Sequence, residues 1–334
     1  MEASLLGGKQ VPQLQALETA GAAEASISSE NAVIPLGSAF GIKLFTDGVI
    51  VASLSDIYTE NGICCPAADA GIKPGDYLLT ANGTAITGNG VLANLIGRSE
   101  GEPIGLQIRR GEKIFETTVT PVLGDGSFKT GMWVRDSAAG IGTLTFYDPQ
   151  SGSFAGLGHG ICDMDTNGVI SLKSGEPAPI TLCGIVRGEK NSPGQLRGYF
   201  SSEKSLGLLS ANNETGVYGR LTEIPEGKAV EILPKNQVTE GPVKLLVTLD
   251  ETGPQLYDAQ IERVSRDDAR TRNLILRVTD ERLLERTGGI VQGMSGSPII
   301  QDGRIIGAVT HVFVSDPTQG YGLYIDWMLR EAAQ

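Results

Sequence analysis

The sequence has 334 residues, which is enough for two domains at roughly 100–200 residues per domain. Hydrophobic residues make up 40% and charged residues 20%, a balance that excludes global disorder. The 27 Lys and Arg against 39 Asp and Glu give a formal charge of −12, which excludes nucleic-acid binding because that function needs a cationic surface. Most of the 45 glycines stand singly between short apolar runs, which is typical of a protein rich in strands and turns.

The N-terminus shows no targeting segment. Met1–Gly7 does not resemble a signal peptide, and no stretch reaches the roughly 18 apolar residues that a membrane-spanning helix needs. We therefore expect either a cytoplasmic protein or one whose export segment is not in this chain. Cys64 and Cys65 are adjacent, Cys162 and Cys183 are far apart, and none has partners at zinc-site spacing. The sequence predicts no metal and no cofactor.

Changes in composition divide the chain. We interpret residues 1–31 as an N-terminal arm and linker, 32–123 as a first domain and 130–334 as a second. The first domain is predicted to contain two strands joined by a turn at Thr46–Gly48, then a helix, a strand between two turns, a second helix and a hairpin. These elements are Ala39–Leu44, Gly48–Leu54, Pro66–Gly71, Ile72–Gly83, Gly90–Ile96, and Ile104–Arg110 with Lys113–Val119.

The segment Ala70–Asp76, a hydrophobic strand and the Asn82-Gly83 turn together resemble a PDZ domain of the bacterial, protease-associated type, over residues 33–122. PDZ domains bind a peptide as an added strand and hold its carboxylate with backbone N–H groups of a loop. By position, the resemblance implies a peptide-binding loop made of Ala39, Phe40, Gly41 and Ile42. Alternatively, Phe40 and Ile42 simply fill the core.

From Gly131 onward, short β-type runs alternate with turns, and helical periodicity is confined to Thr279–Thr287 and Ile325–Ala333. The predicted strands are Gly140–Tyr147, Ile180–Arg187, Gly216–Leu221, Val243–Val247, Asn273–Val278, Pro298–Ile300 and Arg304–Val314. Many strands and few helices in about 200 residues predict a sandwich or a double barrel.

The strongest chemical signal is the run Gly293-Met294-Ser295-Gly296-Ser297-Pro298, followed by a turn and a strand. A serine nucleophile needs backbone N–H groups to stabilise an oxyanion, and a glycine two residues earlier lets the backbone approach without a Cβ. The layout resembles the nucleophile region of chymotrypsin-like proteases. The alternative is a glycine-rich turn with an incidental serine.

A serine nucleophile needs a base, and the chain has only two histidines. His159 lies between two glycines, a setting that core packing explains poorly, and we predict it to be the base. His311 lies inside an apolar strand, and we interpret it mainly as a residue near the substrate cleft. A carboxylate should orient the imidazole, but spacing cannot choose one. The candidates are Asp163, Asp165, Asp250, Asp258, Asp267, Asp268 and Asp280.

Four segments carry a closer resemblance, to the SpoIVB peptidase family, over about residues 33–334. They are Arg135–Phe146, Gly158–Asp163, Gly289–Ile300 and Gly307–Val314. The resemblance implies a mainly β fold, with an N-terminal PDZ domain (α+β) followed by a chymotrypsin-like double β-barrel serine protease domain. It also implies a triad of Ser295, His159 and Asp280. We expect the N–H groups of Gly293 and Ser295 to form the oxyanion hole and the strand Gly307–Val312 to pair with the substrate.

The resemblance also implies a biological setting. Family members are anchored in the forespore's inner membrane, cut themselves free into the space between the two membranes, and cleave a membrane-bound regulatory protein, which leads to sigma-factor activation. We therefore expect an extracytoplasmic endopeptidase that acts on a protein substrate and whose PDZ domain binds a chain end, including its own N-terminal region. Two alternatives are a non-catalytic PDZ scaffold on an inactive protease fold and a general extracytoplasmic quality-control protease.

Overall fold

The structure, a computed structural model, describes residues 31–202, 204–267 and 269–334. The predicted arm, residues 1–31, lies outside these ranges except for Asn31. Strands dominate the described residues, and the four helices found there are short. None of these helices is long and apolar enough to cross a membrane. The predicted mainly β fold is confirmed.

The first part of the described chain contains nine short to medium strands, two long strands and two helices. They are β1 (Ala32–Pro35), β2 (Ala39–Leu54), β3 (Ile57–Thr59), β4 (Gly62–Cys64), α1 (Pro66–Asp69), β5 (Tyr77–Ala81), β6 (Thr84–Ala85), α2 (Asn89–Gly97), β7 (Ile104–Arg110), β8 (Lys113–Val119), β9 (Val122–Gly124), β10 (Ser127–Lys129) and β11 (Met132–Asp148).

The second part is almost entirely strands. They are β12 (Ser153–Gly156), β13 (Ser174–Ala178), β14 (Ile180–Val186), β15 (Gln195–Phe200), β16 (Gly207–Asn213), β17 (Gly216–Leu221), β18 (Val230–Glu231), β19 (Gly241–Thr248), β20 (Pro254–Val264), β21 (Leu274–Val278), α3 (Glu281–Thr287), β22 (Pro298–Gln301), β23 (Arg304–Phe313), β24 (Asp316–Tyr324) and α4 (Ile325–Ala332).

Local sequence patterns predicted several of these elements closely. The predicted helices at 90–96, 279–287 and 325–333 correspond to α2, α3 and α4, and the predicted hairpin is β7 and β8. Helix α3 begins after the N-cap residue Asp280 and ends at Gly288, whose φ of 75° lies in the left-handed region. A capping carboxylate and a left-handed glycine satisfy the backbone groups that a helix leaves unpaired at its ends.

Strand β2 is twice as long as the sequence predicts. The turn predicted at Thr46–Gly48 does not reverse the chain, and Ala39–Leu54 forms a single strand of 16 residues. The Thr46 hydroxyl donates to the carbonyl of Gly48 (2.7 Å) and to that of Asp136 on the facing strand (3.1 Å). The ladder with β11 shifts its register here, so the expected hairpin is replaced by an irregularity within a continuous strand.

This continuity contradicts the predicted peptide-binding loop. Gly41 and Ile42 pair with β11 on one edge of β2 and with β13 on the other. Phe40 and Ile42 are 0% and 1% exposed within a core cluster. Because both edges are occupied, no further strand can add at this position. The predicted site at Ala39, Phe40, Gly41 and Ile42 is therefore wrong, and Phe40 and Ile42 are core residues.

One sheet has twelve strands, eight of which follow the path β16-β17-β12-β11-β2-β5-β7-β8, while β1, β6, β13 and β18 pair beside this path. The C-terminal half of β2 pairs with β5 in the segment that resembles a PDZ domain, while its N-terminal half pairs with β13. Strand β1 pairs with both β11 and β18. The division at residues 123–130 stays a prediction, and the sheet runs across it.

A closed six-stranded barrel follows, in the order β19-β20-β21-β24-β23-β22. Buried aliphatic side chains, together with Met294 and Tyr324, fill its core. Upstream, the large sheet curls until β13 lies beside β16, where the Leu206 N–H donates to the Pro177 carbonyl (2.8 Å). Backbone pairing thus closes one barrel. The predicted nucleophile Ser295 and the predicted base His159 lie between this barrel and the curled sheet.

Candidate active site

Ser295 lies in a tight turn that leads into β22. Gly293 and Gly296 in this turn have φ values of 98° and 95°, a backbone conformation that residues other than glycine rarely adopt. A Cβ on Gly296 would collide with the Thr143 carbonyl and with the backbone of Leu157. Glycine at position 296 therefore allows the serine turn to pack against both β11 and the segment that leads to His159.

Strand β11 holds this turn through two buried threonines. The Thr143 N–H donates to the Ser295 carbonyl (2.9 Å), and its hydroxyl donates to the Gly293 carbonyl (2.8 Å). The Thr145 hydroxyl donates to the Gly296 carbonyl (2.8 Å). Since these bonds are shielded from water, breaking one leaves a buried carbonyl unsatisfied, and the turn is held firmly in place.

Two N–H groups of the turn are unpaired. The Met294 N–H donates to Val291, and the Gly296 N–H donates to Val309, but the N–H groups of Gly293 and Ser295 have no acceptor within the described ranges. A developing oxyanion needs donors of this kind that are not committed to other partners. The oxyanion hole predicted at these two residues stays a prediction, and this arrangement is compatible with it.

The Ser295 hydroxyl donates to the carbonyl of Thr310 on β23, at 2.7 Å. Next to this contact, Gly158 packs so closely that a Cβ on it would lie 3.1 Å from the Thr310 methyl group. The serine turn, β23 and the segment that carries His159 therefore meet at one place. No hydrogen bond joins the Ser295 and His159 side chains in the described structure.

The His159 ring is held by its own neighbour in sequence. Its Nδ1 atom lies 2.8 Å from the Gly160 carbonyl oxygen. Because a carbonyl can only accept, this contact assigns the proton to Nδ1 and leaves the lone pair on Nε2. Burial lowers the pKa of His159, and the bond to Gly160 offsets part of that effect. The ring is thus neutral at neutral pH, in the tautomer that a general base needs.

Asp280 does not orient this ring. Its carboxylate accepts the N–H groups of Arg282 (3.0 Å) and Asp258 (3.1 Å) and forms an ion pair with the Arg282 guanidinium (2.8 Å). The hydrogen bond from Arg282 holds the pKa of Asp280 below its usual range. None of its partners is an imidazole. In the described structure Asp280 serves as the cap of α3, and its predicted triad role stays a prediction.

The other candidate carboxylates are engaged elsewhere. Asp163 and Asp165 pair with Arg135, Asp250 pairs with Arg286, and Asp258 pairs with Lys244. Asp267 accepts the Ala269 N–H, and Asp268 lies outside the described residues. Among the carboxylates that the structure describes, none hydrogen-bonds to either histidine.

The group that does lie beside His159 is His311. The two ring centroids are 4.8 Å apart, and the ring planes are inclined by 35°. Burial lowers the pKa of His311 to about 4, with smaller contributions from His159 and Arg272. Its Nδ1 is buried without a partner in the described part of the chain. A second neutral imidazole thus packs beside the predicted base. In the sequence, a histidine inside an otherwise apolar strand indicated that His311 has a place near the cleft.

Sequence reasoning missed Asn212 on β16. Its amide oxygen accepts the Ile161 N–H (2.8 Å), while its amide nitrogen donates to the carbonyls of Ile161 (3.0 Å) and Ile170 (2.8 Å). These bonds fix the segment that directly follows His159 and Gly160. A single asparagine in a strand carries little signal in the sequence, because only the fold shows what it faces.

A family model described as SpoIVB peptidase S55 matches residues 126–329, which is more than half of the chain. The chain belongs to the SpoIVB peptidase S55 family. The matched range contains Ser295, His159, His311 and Asp280, and the resemblance stated from the sequence is confirmed.

Other proteins resemble smaller parts of this SpoIVB peptidase S55 member, or resemble it more distantly. LL2128 of Lactococcus lactis, which is named as a zinc metalloprotease, is 31% identical over 122 residues, which cover 36% of this chain and 26% of the relative. The chain thus spans about a quarter of that relative's length.

Two solved structures of the Rv3671c protease of M. tuberculosis are each 14% identical to this chain. The active form has a TM-score of 0.35 and covers 59% of this chain and 74% of its own. The inactive form has a TM-score of 0.33 and covers 58% of this chain and 83% of its own.

Proposed function

We propose that this chain is a serine endopeptidase in which Ser295 is the nucleophile and His159 is the general base. The observation that carries the proposal is the packing of the Ser295 turn against the segment that ends in His159, whose Nδ1 is already bound to Gly160. The proton on Nδ1 leaves Nε2 free to accept the serine proton. A backbone carbonyl takes over the tautomer-fixing role that a carboxylate usually has.

The reaction needs one rearrangement of the free structure. The Ser295 hydroxyl turns from the Thr310 carbonyl toward Nε2 of His159, which takes its proton as Oγ bonds to the peptide carbonyl carbon. The oxyanion that forms is stabilised by the N–H groups of Gly293 and Ser295. The C–N bond then breaks, the leaving amine takes the proton from Nε2, and water hydrolyses the acyl-enzyme in the same way.

Labelling with a fluorophosphonate tests this proposal, since the probe forms a bond only with an activated serine. We expect the parent to be labelled at Ser295, and Ser295→Ala and His159→Ala to lose both labelling and peptide cleavage. Ser297→Ala is the matched control, because Ser297 is buried two residues away with an unpartnered hydroxyl. An unlabelled parent that also fails to cleave peptides would leave the non-catalytic scaffold as the better explanation.

We further propose that the natural substrate is a membrane-bound regulatory protein whose cleavage leads to sigma-factor activation during sporulation, in the extracytoplasmic space between the forespore membranes. The family membership supports this setting. The proposal includes self-cleavage and binding of a chain end by the segment that resembles a PDZ domain. Incubating the active chain with a tagged Ser295→Ala copy tests self-cleavage, and a copy that stays uncut would contradict it.

A further inference from the structure

One edge of β11 is unpaired next to the serine turn. Both backbone groups of Thr143 point away from β2, because its N–H donates to Ser295 and its carbonyl accepts the Leu157 N–H (3.1 Å). Backbone groups alternate in direction along an antiparallel strand, and the register with β2 is regular from Ser137 to Thr143. The N–H and carbonyl groups of Ala139 and Ile141 therefore point toward the same side as Ser295. Across the described ranges, no strand pairs with them there.

A crevice of about 170 Å³ lies beside this edge. Ala139–Ile141 form one wall, and Ile180 of β14 with Tyr199 and Phe200 of β15 form the other. Tyr199 is 58% exposed and Phe200 38% exposed, so part of each aromatic ring is accessible to a ligand. The lining carries no charged side chain, so the crevice suits an apolar group.

Both walls are tied to the serine turn. Strand β11 supports the turn through Thr143, as described above. On the opposite wall, the Leu196 N–H at the start of β15 donates to the Gln292 carbonyl, and the Gln292 N–H donates to Gly194, each at 2.8 Å. Ile141 is two residues from Thr143, or about 7 Å along the strand. A chain paired with Ile141 would therefore lie next to Ser295.

The first part of the strand Gly307–Val312, which is predicted to pair with substrate, is already paired on both edges. Over Gly307–Val309, β23 pairs with β22 on one edge and with β24 on the other. A substrate strand cannot add where both edges are occupied. The free edge of β11 offers the backbone groups that β23 lacks at those positions.

We propose that the crevice between β11 and β15 binds the substrate beside its scissile bond, as an extended segment that pairs with Ala139 and Ile141 and buries one apolar side chain. This inference rests on the proposed function, since it makes the crevice a specificity subsite of Ser295. The residues that line the crevice are apolar or uncharged, so the enzyme should prefer Leu, Ile, Val or Phe at that position.

The test uses the full chain, a peptide library and mass-spectrometric identification of the cleavage products. Parent enzyme should show an apolar preference at one fixed position next to the cleaved bond. Ile141→Glu should lower kcat/KM for the preferred peptides roughly tenfold or more, because apolar contacts in such a pocket discriminate by about 10–200-fold. The matched control is Ile114→Glu on β8, which is 59% exposed in the free protein and should leave kcat/KM unchanged.

The outcomes separate this inference from the proposed function. If Ser295 is labelled by fluorophosphonate in every variant while Ile141→Glu keeps the parent's preference, the crevice assignment is wrong and the peptidase stands. If the parent neither labels nor cleaves, both proposals fail. Should Ile141→Glu not fold, Tyr199→Ser replaces it, and we expect it to weaken the apolar preference severalfold.

A second measurement does not depend on cleavage. An excess of a preferred peptide, added to Ser295→Ala, should slow hydrogen exchange at the amides of Ala139 and Ile141, because these N–H groups become hydrogen-bonded. Exchange at these two amides that is unchanged by a bound peptide would overturn the proposed mode of binding.

Discussion

The imidazole rings of His159 and His311 pack against each other with their centroids 4.8 Å apart, although 152 positions separate the two residues in the sequence (311 − 159). One ring comes from the segment after β12 and the other from β23, so the contact joins the curled sheet to the closed barrel. Both pKa values are lowered by burial, and both rings are therefore neutral at neutral pH. Several measurable properties depend on this pair.

Acid should weaken the folded state through His311. Its pKa is about 4 in the folded chain, against 6.5 for an unperturbed histidine. As pH falls, the unfolded chain takes up the proton first, so this contribution is fully present above about pH 6.5 and is lost toward pH 4. We expect His311→Phe to reduce the acid-induced loss of unfolding free energy by about 1–2 kcal/mol, a value discounted because the ring is partly exposed. Urea unfolding at pH 7 and pH 4.5 measures this, and equal losses in parent and variant would contradict it.

The pH dependence of cleavage should reflect the lowered pKa of His159. A general base acts in its neutral form, so kcat/KM falls on the acidic side as the ring takes up a proton. Because burial lowers the pKa of His159, we expect the acidic limb to have its midpoint below pH 6.5. Steady-state cleavage of one peptide from pH 4 to pH 9 locates the midpoint, and a midpoint above the ordinary histidine value would show that the ring is not desolvated as described.

Substitution of Asp280 separates a helix cap from a triad member. Asn is also a good N-cap, so Asp280→Asn should keep kcat within about tenfold, whereas loss of an orienting carboxylate costs about 10⁴-fold. Asp280→Ala removes the cap and should lower the unfolding free energy by about 1–2 kcal/mol. Both kcat and unfolding are measured for each variant. A loss of several thousandfold in a fully folded Asp280→Asn protein would confirm the triad role.

Thr143 should be important for the shape of the serine turn. In Thr143→Val the Gly293 carbonyl loses its buried donor, which costs about 1–3 kcal/mol of stability and removes one of the three hydrogen bonds that hold the turn. We expect lower stability together with a severalfold lower rate of fluorophosphonate labelling. The control is Thr118→Val on β8, an exposed threonine, which should change neither quantity. Unchanged labelling in a destabilised Thr143→Val would limit this residue to a role in folding.

Local patterns were sufficient for the parts of the site that depend on local chemistry. Ser295 was identifiable because the glycines around it are needed for a tight turn, and His159 because two glycines flank it. The capping role of Asp280 was missed because the helix was predicted to begin at Thr279, whereas α3 begins at Glu281 and leaves Asp280 at its N-cap. The contact between His159 and His311 could not be predicted, because it depends on how two distant strands pack.

In the fold as well, local patterns predicted some elements, while others depend on pairing between distant strands. Short apolar runs and turn residues located the hairpin of β7 and β8, and helical patterns located the helices α2 to α4. The residues Thr46-Asp47-Gly48 have the composition of a hairpin turn, but the facing strand β11 keeps β2 extended. A long-range pairing therefore overrides the local turn preference, and with it the position predicted for the peptide-binding loop.

The two long strands β2 and β11 have a thermodynamic consequence. Each contributes backbone pairs to both parts of the chain, so neither part has a complete sheet without the other. Excising the C-terminal part at residue 130, a boundary suggested by composition, would leave β11 without the neighbour that covers most of its length. Calorimetry of the intact chain should therefore show one cooperative melting transition instead of two.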